Sequence, residues 1–78
     1  MSEEDIIKSI FGEVIGIDES EVNDSIAYNS CEQWDSLLHL ELINELEDAF
    51  DVEFEIDDII AMETFGKVKE IVMKYLKN

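Results

Sequence analysis

The 78 residues contain no proline and no arginine, a single cysteine and three glycines. The lone thiol, Cys31, cannot close an intramolecular disulfide or build a cysteine-based metal site. One reducible thiol suits the cytoplasm. Without arginine the fixed cations are five lysines, and none lies between Lys8 and Lys67. Phosphate backbones need cationic contacts, so nucleic acid is excluded as a partner. An anionic membrane surface would repel the chain as well. No apolar run reaches the roughly 20 residues of a membrane helix, and the first residues are polar and acidic, unlike a signal peptide. These absences predict a cytoplasmic, monomeric protein with neither a nucleic-acid nor a membrane partner.

What is present is acid. There are 21 Asp and Glu residues and a formal net charge of −16, yet 46% of the chain is apolar. That apolar fraction is too high for a disordered acidic tail. The length suits one small domain, residues 1–78, with a modest core and no deep catalytic cavity. A field this negative predicts protein partners with basic patches, because opposite fields speed encounter and fix orientation.

The hydrophobic pattern predicts an all-α fold of three longer helices, one short helix and a long first loop. The first helix is expected over Glu3 to Ile15, with Ser2 as N-cap, Asp5 in a capping-box position and Gly16 as the stop. Between Ile17 and Trp34 the periodicity lapses, and Val22, Ile26 and Trp34 are the expected anchors of this loop. The second helix starts at Asp35 or Ser36 and runs to Phe50. Val52 to Ile56 reads as an extended connector, Ile56 to Ala61 as the short helix. The last helix is expected over Phe65 to Leu76, with Thr64 as N-cap and Val68, Ile71, Val72, Tyr75 and Leu76 as its buried stripe.

At 100° per residue, Leu38, Leu42, Ile43, Leu46, Ala49 and Phe50 fall on one arc of the second helix, its expected core face. Glu41, Asn44, Glu45, Glu47 and Asp48 occupy the rest. Leu37 and Leu40 break the pattern by sitting on the acidic side. Apolar residues ringed by carboxylates are either scattered surface hydrophobes or the centre of a protein-docking patch with a polar rim. Helix geometry alone leaves both open.

Other chemistries fail on spacing. His39, one turn from Ser36 and close to Asp35, invites a Ser–His–Asp reading, but there is no G-x-S-x-G elbow and no second segment for an oxyanion hole. His39 falls toward the apolar arc, as a packed histidine would. Cys31 has no cation or histidine near it in sequence to activate it. An EF-hand loop starting at Asp18 meets Val22 at its fifth position, and one starting at Asp48 meets Phe50 at its third, where oxygen ligands are needed. No metal site is expected.

Trp34-Asp35-Ser36-Leu37, then Leu40-Glu41-Leu42-Ile43, then Leu46-Glu47-Asp48-Ala49-Phe50, resembles the signature of the acyl carrier protein family. The resemblance covers nearly the whole chain, including the long loop, the short third helix and Thr64-Phe65-Gly66. It implies a four-helix bundle and a carrier rather than an enzyme. It implies that 4′-phosphopantetheine, transferred from coenzyme A, is esterified to Ser36, with Asp35 and Leu37 flanking it. The arm would carry acyl intermediates as thioesters to partner enzymes of lipid metabolism, such as fatty acid biosynthesis. The implied partners are a phosphopantetheinyl transferase, an acyl-loading ligase or acyltransferase, and other enzymes that dock on Leu37, Leu40, Glu41, Asn44, Glu45 and Asp48. Trp34 stands where the fatty-acid-synthase type usually has a small residue. Leu38 and His39 stand where polar residues are more usual, and the run resembles stand-alone carriers serving a dedicated ligase. An aminoacyl, D-alanyl or peptidyl carrier shares the fold and the serine. An unmodified acidic adaptor is the competing class.

Overall fold

The computed structural model describes residues 2–28 and 31–77. Asn29 and Ser30, inside the expected long loop, lie outside the described residues. Four α-helices follow in order, α1 (Glu3–Ile15), α2 (Ser36–Phe50), α3 (Ile56–Ala61) and α4 (Phe65–Leu76), with a short 3-10 turn over Glu19–Glu21. All four sit where the sequence places them.

Local chemistry sets the ends. Ser2 Oγ accepts the Asp5 N–H at 3.2 Å, which satisfies one of the orphan donors of α1. Gly16 closes that helix at φ 85°, a left-handed conformation that glycine adopts without steric penalty. Thr64 Oγ1 accepts from Lys67 N–H and opens α4. Helix α2 ends differently. Asp51 takes the left-handed position, at φ 55°, and its N–H returns to Glu47 O.

The core joins the apolar faces of α1, α2 and α4. Ile7, Phe11, Leu42, Leu46, Val68 and Val72 are essentially inaccessible to solvent. Trp34, from the loop before α2, and Met62, after α3, are buried with them. Phe11 is the centre of an aromatic group. Its ring lies 5.0 Å from Trp34, edge to face, and 4.8 Å from Phe65.

The first loop is tied to the start of α4 by backbone pairing. Phe65 N–H donates to Ile26 O at 2.9 Å, and Tyr28 N–H to Glu63 O at 2.8 Å, around an Ala27–Thr64 bridge. Lys69 strengthens the same junction, reaching Asp24 at 2.8 Å and Glu4 at 3.6 Å. The Asp24 bond is the main reason that the Lys69 ammonium is held above its usual pKa. Near the end of α4, the Tyr75 hydroxyl accepts from Glu55 N–H and donates to Asp58, which also binds Lys74. Those bonds hold the Asp58 carboxyl below its usual range, the tyrosine more than the lysine.

Three details depart from the pattern read along the chain. Ala49, expected on the core arc, is exposed. The wheel gives a direction but not reach, and a single methyl falls short where Leu46 and Phe50 on either side do not. Glu47, expected on the solvated face, is half-buried, because its carboxylate turns back to accept the Phe54 N–H at 2.9 Å. Phe65 joins the buried stripe of α4, whereas Tyr75 and Leu76 are only half-buried.

Candidate functional site

The site forms where the long loop becomes α2. Asp35 is in an extended conformation, and its Oδ1 accepts the Leu38 N–H at 2.9 Å. Its carbonyl accepts the His39 N–H at 2.8 Å. The start of α2, left open between Asp35 and Ser36, is thus decided: Asp35 is the cap, and Ser36 is the first helical residue. Ser36 is exposed, and its hydroxyl makes no hydrogen bond among the described residues. The backbone N–H groups of Ser36 and Leu37 are likewise unpaired among those residues. A phosphodiester on Ser36 would lie beside two free donors at the positive end of a 15-residue helix. The residues present therefore fit a covalently attached phosphate group.

From Ser36 a single surface stripe runs down α2. Leu37, Leu40, Glu41, Asn44, Glu45 and Asp48 recur at helical spacing, and all are exposed, Leu37 by 73% and Leu40 by 58%. The helix is about 22 Å long at ~1.5 Å per residue. Among the described residues no ion pair engages an acid of α2. The acids of the stripe are therefore not held in ion pairs among the described residues.

His39 faces away from this stripe and is structural. Trp34 Nε1–H donates to His39 Nδ1 at 3.0 Å. The acceptor role of Nδ1 puts the ring hydrogen on Nε2, which faces Ile59 O at 3.0 Å. One imidazole thus joins the loop, α2 and α3. Tyr28 packs against both rings, with centroids 5.7 Å from Trp34 and from His39. Cys31 is half-buried, and its thiol faces Gln33 Oε1 at 3.5 Å.

The sequence reading missed a second apolar pair. Ile56 and Ile60 on α3 are 69% and 70% exposed. Their i, i+4 spacing was the available signal, but six residues are too few for the wheel to separate an outer face from an inner one.

Comparison with known proteins agrees with this geometry. The phosphopantetheine attachment-site family matches residues 5–72. The acyl carrier protein of Chlamydia caviae is 41% identical over 68 residues, covering 87% of this chain and 88% of that protein. That of Chlamydia felis is 40% identical over 68 residues, covering 87% of each. Among solved structures, a Mycobacterium tuberculosis protein described as an acyl carrier protein superposes with a TM-score of 0.85 at 26% identity. That match covers 95% of this chain and 99% of the other. The holo acyl carrier protein of Geobacter metallireducens gives 0.83 at 27% identity, covering 99% of this chain and 88% of its own. On the family match, the curated relatives and the shared helical bundle, the chain belongs to the acyl carrier protein family, whose members are phosphopantetheine-bearing carriers rather than enzymes.

Proposed function

We propose that Ser36 is the attachment serine and that the chain carries acyl groups as thioesters, delivering them to enzymes that dock on α2. The observation that carries this reading is the division of roles at the start of α2. Asp35 supplies the cap, so the exposed Ser36 hydroxyl has no structural duty. A transferase can approach it from solvent. When bound, 4′-phosphopantetheine supplies a terminal thiol at the end of a long flexible arm, able to hold an acyl group as a thioester. Ser36 Oγ would anchor the phosphate: as the ester forms, the hydroxyl proton leaves the serine and the pyrophosphate bond of coenzyme A breaks, releasing 3′,5′-ADP. The free N–H groups of Ser36 and Leu37 stabilise the charge that remains.

Docking follows from the stripe. Leu37 and Leu40 offer an apolar centre beside the attachment point, and Glu41, Asn44, Glu45 and Asp48 form a polar, acidic rim. A basic-patched transferase or acyl-loading enzyme in the cytoplasm is the matching partner. Once it is docked, tethering replaces diffusion with a high effective concentration.

Intact mass tests the reading. Incubation with coenzyme A and a phosphopantetheinyl transferase should add one arm to the wild type and none to Ser36→Ala, while both keep the same far-ultraviolet circular dichroism. A wild type that stays unmodified, or a fully modified alanine variant, would overturn it.

A further inference from the structure

The bundle is filled beneath the attachment point. Trp34, two residues before Ser36, is 1% exposed. One side of its indole meets Phe11, which packs on Phe65, and Tyr28 and His39 stand against it elsewhere. The seam between α2 and α3 is bridged by His39, bonded to Trp34 on one side and to Ile59 O on the other. A carbon chain directed inward here must displace the indole or break that bridge. Interiors at native packing density do not take in extra methylenes without strain.

Outside the bridge lies an apolar crevice of about 220 Å³, open to solvent, lined by Tyr28, His39, Ile59, Ile60, Met62 and Glu63. It is smaller than the roughly 300–1,000 Å³ of pockets that enclose drug-sized ligands. A few carbons can rest in it without any change in the bundle. A long chain would project into water.

Accepting Ser36 as the carrier serine, we infer that the cargo is a short or polar acyl group held outside the bundle. Trp34 and His39 are the specificity-determining residues that close the interior to long-chain fatty acyl groups.

The test loads the full chain with acetyl-, butyryl-, octanoyl- and lauroyl-phosphopantetheine, using a transferase that accepts acylated coenzyme A. Thermal melting and the emission of Trp34, the single tryptophan, are then followed. Burial of the chain would shift the folding equilibrium up to about fourfold per methylene. The melting temperature would then climb by up to several degrees with each added methylene. The inference predicts a melting temperature and a Trp34 emission that stay flat from butyryl to lauroyl. A climb with chain length, accompanied by a change in emission, would overturn it. Trp34→Leu should acquire the chain-length dependence, and a folded Trp34→Leu protein that stays flat would overturn the role given to Trp34. Where that variant does not fold, the wild-type series still decides. Failure to load even with unacylated coenzyme A would remove the reading of Ser36 itself, and this inference with it.

Discussion

Replacing His39 separates a packed bystander from a polar bridge. His39→Phe keeps a ring against Tyr28 and Trp34 but offers no acceptor to the Trp34 indole. That N–H belongs to a side chain 1% exposed, so water cannot replace the lost partner. A buried donor left without a bond costs about 1–3 kcal/mol. The Ile59 carbonyl also loses its partner, but Ile59 is half-buried and water can substitute there. A chain of this length has a total stability of roughly 4–12 kcal/mol, so the change removes a substantial part of it. Urea unfolding followed by circular dichroism measures the loss. Trp34→Phe in the same background deletes the donor, and the double variant should lose less than the sum of the single changes, by about 1 kcal/mol or more. Strict additivity, or a His39→Phe protein within about 0.5 kcal/mol of wild type, would refute the bridge.

Three further outcomes are expected. Asp51→Gly should raise stability by a few tenths to about 1 kcal/mol in urea unfolding, because glycine takes the left-handed end of α2 without strain, whereas Asp51→Val should lower it. Tyr75→Phe should lower the melting temperature and flatten its pH dependence. The depressed Asp58 pKa contributes stability that is present above its ordinary value of 3.8 and lost as the pH falls below it. The Tyr75 hydroxyl, raised above its ordinary 10.0 chiefly by the Asp58 bond, contributes stability that is lost as the pH rises past that range. Reversing Glu41 and Asp48 to Lys should slow modification by the transferase mainly through the association rate, and added salt should slow the wild type in the same way. Rates unchanged in stopped-flow measurements would remove α2 from the docking surface.

The parts of the fold legible in the sequence were those decided within one helical turn. Ser2, Gly16, Asp35 and Thr64 each act on N–H or C=O groups three or four residues away, so both ends of α1 and the start of α4 could be read directly, and the start of α2 to within one residue. The exposed stripe of α2 was legible for the same reason, since Leu37 and Leu40 stand out against acids on one wheel. What could not be read depends on groups distant in sequence. The Trp34–His39–Ile59 bridge spans 25 residues of sequence, and the pairing of Tyr28 with Glu63 spans more. Asp51 ends α2 in a conformation for which glycine would have been the signal. Ala49 shows a different failure: the wheel put it on the core arc, and it is exposed.

The central claim is that one serine of six carries the arm, and the chain has Ser2, Ser9, Ser20, Ser25, Ser30 and Ser36 to choose among. Peptide mass mapping of the wild-type chain after treatment with coenzyme A and a transferase tests it most directly. The account predicts a single modified peptide whose fragmentation places the phosphodiester on Ser36. An arm on any other serine, or none at all, would contradict it.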